Sequence, residues 1–262
     1  MRRTFIVENQ YIMKTPKLLL IFALVLAVLT LQAQNGAHLH SSRHFYAPTG
    51  RTIPQDSIYL NWVGPLLDIN FGITEKFSAG IGTPLFTGVY LTGSYGGSLN
   101  EAATINGRFG NLTGFPVVGE GYYSLPYGVV TFGSPEHEIT LGAGYFYMSD
   151  GLTNELFGSN ADELAPSSAV INIGSYQQLN NRLGFAFEGW YLAETDWLVL
   201  MPGVRFYTQR NRKYWNVGII RLRFPYIDDQ GYWDTNTNTW IENPVRKIQN
   251  LTLPMFSFAT YL

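Results

Sequence analysis

The feature that most constrains the fold of this chain is an alternation of bulky and small or polar residues between Ser168 and Phe224. In the segment 182–193 one face carries Leu183, Phe185, Phe187 and Tyr191, and in the next segment Leu198, Leu200, Val204 and Phe206. Alternation of period two is typical of a strand with different surroundings on its two faces. The opposite face mixes glycine with hydroxyl, amide and charged groups, as the lumen of a transmembrane barrel does. We therefore predict an all-β fold, an antiparallel transmembrane β-barrel.

Composition favours the same fold class. Charged residues make up 14% of the 262 residues and aromatic residues 15%, whereas a quarter of a soluble protein is ordinarily charged. The mean hydropathy of −0.01 is nevertheless too low for a bundle of membrane helices. The 27 glycines suit tight turns and crowded positions in a lumen.

One uncharged apolar run occurs, from Leu18 to Thr30, and Lys14 and Lys17 precede it. It is too short for a membrane-spanning helix and has the layout of a secretory signal peptide cleaved before Gln34. A short membrane anchor is the alternative. Met13 is the expected start of the precursor. We predict three regions: an upstream extension and signal peptide (1–33), a polar N-terminal segment (34–56) and the barrel (57–262).

Export from the cytoplasm determines which partners we expect. The chain has no cysteine, and closure of a barrel satisfies sheet edges without disulfides. From Asn35 onward, 13 Lys and Arg residues stand against 18 Asp and Glu residues, so no nucleic-acid partner is predicted. We expect location in the cell outer membrane and contact with outer-membrane lipid. We also expect insertion by the barrel-assembly machinery, because the last strand, 251–262, ends on an apolar residue.

Loop lengths indicate the sidedness of the barrel. Short turns at Pro135, Asn180 and Gln209 are expected in the periplasm, and long loops at 150–167 and 226–250 outside. The region 99–119 is predicted to hold one strand, 104–112, with loop around it. The alternation changes phase within 214–224, which predicts a bulge near Ile219.

The polar faces of the strands give the candidate functional residues. The residues predicted to line the lumen are Asp68, Tyr90, Tyr176, Glu188, Arg205, Tyr207, Arg221 and Arg223. Their charges form either a selectivity constriction or an ion-paired filling of a narrow barrel, and we favour the filling. Pairing about the turn 194–196 places Glu188 opposite a residue near 202, so we predict that Glu188 and Arg205 form an ion pair.

Histidines offer little chemistry. His38, His40 and His44 lie in the polar segment, where we expect a mobile tail without a bound metal because no further ligand fixes the geometry. His137 lies at a predicted periplasmic turn, away from the outer rim at which an outer-membrane lipid hydrolase acts. We predict no catalytic, cofactor-binding or metal-binding residues.

Three stretches carry a resemblance: FYAPTGR (Phe45–Arg51), NFGITEKFSAG (Asn70–Gly80) and YGVVTFGS (Tyr127–Ser134). They resemble a family of uncharacterised outer-membrane β-barrel proteins of Gram-negative bacteria. The resemblance spans residues 45 to 224 and implies a barrel of about 10–12 strands, within the range known for such barrels. It implies no substrate and no catalytic residue.

Three function classes are consistent with these patterns. We expect a non-enzymatic outer-membrane barrel, either a narrow channel or a structural protein, with a largely filled polar lumen and an unidentified small solute as a possible ligand. The first alternative is an outer-membrane enzyme that acts on lipid or lipopolysaccharide. The second is a soluble periplasmic barrel of lipocalin type, in which apolar residues point inward.

Overall fold

Twelve strands form one closed antiparallel barrel in a computed structural model of the chain. The structure describes residues 43–64, 66–84, 88–116, 120–152, 167–209, 213–229, 232–234, 237, 239–241 and 244–261. The predicted signal peptide, His38 and His40 lie outside the described residues. The barrel strands are β1 (Ile58–Val63), β2 (Leu66–Gly72), β3 (Phe77–Pro84), β4 (Gly88–Asn100), β5 (Ile105–Pro116), β6 (Tyr123–Ser134), β7 (His137–Met148), β8 (Ser168–Asn180), β9 (Leu183–Leu192), β10 (Trp197–Gln209), β11 (Lys213–Asp229) and β14 (Pro244–Tyr261).

Each strand pairs with its neighbour in sequence, and β14 closes the barrel on β1, with Asn61 opposite Ala259. A separate short hairpin, β12 (Tyr232–Asp234) and β13 (Thr239–Ile241), follows β11 and precedes β14 along the chain. The expectation of about 10–12 antiparallel barrel strands is thus confirmed at twelve. Among the described residues, no helix has the length and apolar character needed to cross a membrane.

The two faces of the wall differ as the alternation predicts. Large apolar side chains cover the outside, among them Trp62, Phe71, Ile81, Leu91, Phe109, Leu141, Ile171, Phe185, Phe206, Val217 and Phe256, each at least 41% exposed. The inward positions carry buried polar or small residues such as Asn61, Thr131, Thr140 and Asn216. An apolar outside around a polar inside is the arrangement of membrane barrels and the reverse of a lipocalin.

The ends of the barrel also differ. At the short-turn end, segments of two to four residues join β2 to β3, β4 to β5, β6 to β7 and β8 to β9, and β1 begins and β14 finishes there. At the long-loop end, the connections include 149–167 and 230–243. The turn Glu194–Asp196 belongs to the long-loop end and is tied to β8, because the Ser168 hydroxyl donates to Glu194 Oε2 at 2.6 Å and the Ala169 N–H at 2.5 Å. These hydrogen bonds lower the pKa of Glu194, so this tie is made at neutral pH and is lost as the pH falls through that lowered pKa.

Three expectations about the strands are wrong. The predicted bulge near Ile219 is absent, because β11 keeps one register with β10 from Arg223 to Tyr214 and with β14 along its full length. The region 99–119 is mostly strand, since β4 continues to Asn100 and β5 covers Ile105–Pro116. The predicted loop 226–250 is shorter than expected, because β11 extends to Asp229 and β14 begins at Pro244. Polar residues such as Asn100 and Asp229 interrupt the apolar alternation at these ends, so the sequence pattern did not show them as strand.

Candidate functional site

The structure places six of the eight candidate residues inside the barrel. Asp68, Tyr90, Tyr176, Glu188 and Arg205 are at most 2% exposed, and the Tyr207 hydroxyl donates to the Tyr176 hydroxyl at 2.7 Å.

Arg221 and Arg223 are not in the lumen, which corrects the prediction for both. With no bulge in β11, they stay on the outward face with Val217 and Ile219. Arg221 is exposed, and Arg223 binds Asp196 at 3.1 Å near the long-loop end, where outward side chains meet water.

The barrel interior is occupied by the chain's own residues 43–56, which we call the inner segment. It leads directly into β1, and its buried side chains include Arg43, His44, Phe45, Thr49 and Ile53. The Arg43–Pro48 bridge folds its leading part back on itself. The expectation of a mobile tail is therefore wrong for residues 43–56, which are packed against the wall.

Glu188 holds the bend of the inner segment. Its Oε2 accepts hydrogen bonds from the backbone N–H groups of Phe45, Tyr46 and Ala47, each at 2.9 Å. Its Oε1 accepts a bond of 2.5 Å from the Trp190 ring N–H. Successive backbone N–H groups that converge on one point form an anion-binding concavity, and a wall carboxylate fills it here. Four donors on one buried carboxylate offset the cost of taking that charge out of water.

Arg205 holds the same bend from another strand. Its guanidinium donates to the His44 carbonyl oxygen, and its Nε donates to Asn216 Oδ1 at 2.8 Å. The guanidinium carbon also lies 4.0 Å from the centre of the Tyr214 ring and 4.9 Å from that of Tyr176. Aromatic faces stabilise a buried cation in this way.

The predicted ion pair between Glu188 and Arg205 does not form. Glu188 lies opposite Met201, close to the expected register, but Arg205 lies opposite Gly184, and the inner segment fills the space between the two charges. Glu188 and Arg205 therefore each bind backbone groups of the inner segment and do not bind each other.

Two arginines of the inner segment pair with wall carboxylates. Arg43 Nη2 lies 3.0 Å from Asp68 Oδ2, and Arg51 Nε lies 2.9 Å from Glu138 Oε2. Arg51 also donates to the Gly133 carbonyl at 2.7 Å. Among the described strand residues, the buried charged side chains are Asp68, Glu138 and Glu188 against Arg108 and Arg205, so the two arginines of the segment more than offset the single excess acidic charge of the wall.

Small wall residues make room for the segment. A Cβ on Gly174 would collide with the His44 ring, and one on Gly203 would lie 3.0 Å from the Phe45 ring. A Cβ on Gly50 would collide with the backbone of Asn106, so the segment approaches the wall closely at that point. The Gly50 N–H also donates to Thr131 Oγ1 at 2.7 Å.

Phe45 is the apolar anchor of the segment. It packs in a buried cluster with Val63, Tyr176, Ala186, Met201 and Met255, which come from five different strands. Nearer the start of β1, Ile53 packs with Tyr59, Tyr214 and Ala259. The inner segment is thus fixed by apolar contacts at Phe45 and at Ile53 in addition to its charged contacts.

The described residues contain no group of three or more His, Asp or Glu side chains that could hold a metal ion. His44 Nε2 makes a 3.0 Å hydrogen bond with Thr140 Oγ1, and its Nδ1 lies 3.9 Å from Glu138 Oε1. His137 begins β7 and contacts the Gln177 amide. His44 therefore lies buried between a hydroxyl and a carboxylate, whereas His137 lies beside an amide at the short-turn end.

Comparison with known proteins adds little beyond the fold. No protein-family model matches the chain, and no curated protein matches it. Among solved structures, the chain is similar to one titled OmpT (in-vitro folded), an outer membrane protein of Vibrio cholerae. The sequences are 8% identical, the match covers 79% of this chain and 95% of that chain, and the TM-score is 0.31. The fold assignment therefore rests on the strand pairing described above.

The sequence did not reveal the inner segment as part of the site. Its buried apolar residues, Phe45, Ala47 and Ile53, stand among proline, glycine and polar residues and do not form a sustained alternating run. One signal was present. FYAPTGR is one of the three stretches that carry the resemblance, and it lies before the first strand. A motif outside the strands of a barrel indicates a segment with its own binding position.

Proposed function

We propose that this protein is a non-enzymatic outer-membrane barrel whose lumen is closed by its own inner segment. The observation that carries the proposal is the bend at 45–47, where three backbone N–H groups bind the Glu188 carboxylate in the middle of the wall. A mobile loop in an open channel would leave those groups to water. The saturated contacts favour a closed lumen.

The outward belt of large apolar residues supports membrane insertion. Such a surface is far larger than the apolar patches that soluble monomers expose, and it surrounds a polar interior. The short turns gather at the end where β1 begins, which supports a periplasmic position for that end. The barrel is then closed to solutes in its resting state, and the inner segment is the element whose displacement would open it.

Planar-bilayer recording of the purified protein tests this proposal. We expect little or no conductance from the wild type and stable single-channel steps from a variant lacking residues 43–52, because that deletion leaves every barrel strand intact. A large conductance of the wild type would contradict the closed lumen. Fractionation supplies the control, since recovery of the mature protein in the soluble periplasmic fraction would contradict membrane insertion itself.

A further inference from the structure

A groove of about 400 Å³ lies on the outer wall near the short-turn end, across β4, β5 and β6. Tyr95 and Phe109 line it with ring centres 5.6 Å apart, and the side chain of Leu99 is 66% exposed beside them. Its volume falls within the range of about 300–1,000 Å³ that is usual for small-molecule sites. Its lining is mostly apolar, and it opens on the surface that we assign to the membrane.

Glycines create this groove within an otherwise bulky belt. Phe77, Tyr95 and Phe109 lie opposite one another on consecutive strands, and the next position in that row is Gly128. A Cβ on Gly128 would meet no atom within 4 Å, so the wall has open space there. On the other side, Gly107 lets the Leu99 side chain lie against the backbone. The row of aromatic rings therefore ends in a depression.

Two cations line the groove, but only Lys76 is exposed, because Arg108 is 5% exposed and its Nη2 donates to the buried Ser78 hydroxyl at 3.3 Å. Lys76 belongs to the turn between β2 and β3, is exposed and lines the groove. Its backbone oxygen accepts a 2.9 Å hydrogen bond from Gly96, and its Cγ would lie 3.9 Å from a Cβ on Gly97. The lysine stem thus crosses the glycine-rich edge of the groove, while the neighbouring Glu75 does not line it.

We propose that this groove is a binding site for one glycerophospholipid, with an acyl chain in the depression and the phosphate at Lys76. An apolar channel beside one exposed cation matches an amphiphile with an anionic head. A free anion would gain nothing from the channel, and a plain hydrocarbon would gain nothing from the lysine. The position near the short-turn end assigns the lipid to the periplasmic leaflet. The inference rests on the proposed membrane location of the barrel.

Native mass spectrometry of delipidated protein in detergent, titrated with palmitoyl-oleoyl-phosphatidylglycerol, tests the site. We expect the wild type to retain one lipid that survives activation. The change Gly128→Leu fills the open space without a backbone clash and should abolish this retention. Gly93→Leu is the matched control, because Gly93 is also outward with open space around its Cβ position but does not line the groove.

The head-group contact has its own variant pair. Lys76→Gln should weaken binding about two- to fivefold, as the loss of one exposed ion pair would. Lys213→Gln should leave binding unchanged, since Lys213 lies near the same end of the barrel but outside the groove.

Three outcomes would overturn the proposal: no retained phospholipid in the wild type, equal losses in the Gly128 and Gly93 variants, or retention of lipopolysaccharide in place of phosphatidylglycerol. If the protein inserts into membranes and any of these occurs, the groove proposal fails while the barrel assignment stands. If the protein is instead recovered as a soluble protein, the proposed function fails first.

Discussion

At the scale of single residues, Glu188 and Arg205 show how a narrow barrel treats buried charge. The two side chains lie on adjacent strands, yet each binds the backbone of the inner segment. An arginine and a carboxylate that face the same lumen need not pair, because backbone groups can satisfy both of them.

We predict that Glu188→Ala destabilises the folded barrel by about 1–3 kcal/mol for each buried backbone N–H group that loses its acceptor. The total loss is limited by the free energy at which the inner segment leaves the lumen and those groups bind water. Glu188→Gln should cost less, because the amide oxygen of Gln can still accept from the three backbone N–H groups. Some cost remains, because the amide NH2 group cannot accept the hydrogen bond from the Trp190 ring N–H. Urea unfolding from lipid vesicles measures the loss. Glu101→Ala, at an exposed turn, is the control, and an equally small loss in the Glu188→Ala and Glu101→Ala variants would contradict the assigned role.

The outward face gives a second prediction at this scale. Phe187 alternates with the buried Ala186 and Glu188 near the middle of β9, so Phe187→Arg should cost about 2–4 kcal/mol if that position faces hydrocarbon. Leu179→Arg, near the β8–β9 turn and 61% exposed, should cost about 0–1 kcal/mol because it lies near the interface. Equal costs at the two depths, or a spin label at 187 that reports water, would show that this wall does not face lipid.

At the scale of elements, the inner segment couples β2 and β7 with the adjacent strands β9 and β10, and neither β2 nor β7 pairs with β9 or β10 in the wall. It binds β2 through Asp68, β7 through Glu138, β9 through Glu188 and β10 through Arg205. A loss at one contact lowers the occupancy of the segment and so weakens the remaining contacts.

A double-mutant cycle with Glu188→Gln and Arg205→Gln tests this coupling. We expect the combined loss of stability to be smaller than the sum of the two single losses, because either change already loosens the same bend. The same cycle in the variant lacking residues 43–52 should show no coupling. Coupling that persists in the shortened variant would show that the two charges interact directly, as the sequence alone suggested.

Sequence patterns predicted the elements better than the site. Strands with one polar and one apolar face, such as β7 and β9, can be recognised in the sequence because their residues alternate with a period of two. Polar strand ends and the inner segment have none, since their neighbours are set by distant parts of the chain. The misplaced Arg221 and Arg223 have the same origin: Ile220 and Leu222 suggested a lipid-facing phase, whereas Ile220 packs toward the inner cluster around Phe45.

At the scale of the whole molecule, the charges of the wall predict the selectivity of an opened barrel. Removal of residues 43–52 takes Arg43 and Arg51 from the lumen and leaves Asp68, Glu138 and Glu188 against Arg108 and Arg205. We therefore expect the shortened variant to prefer cations, as acidic rings do in pores. The reversal potential under a KCl gradient measures this preference. Adding Asp68→Asn and Glu138→Gln should reduce it, and anion preference in the shortened variant would contradict the charge assignment.

The path of the inner segment has a consequence for how the molecule assembles. The residues that bend at Phe45 precede every strand, yet their partners Glu188 and Arg205 lie 143 and 161 positions away along the chain. Contacts that span so much of a chain form slowly, because the intervening polypeptide must first be ordered. We therefore expect the inner segment to bind after most of the wall has formed. Its entry then completes the molecule, although it comes before every barrel strand along the chain.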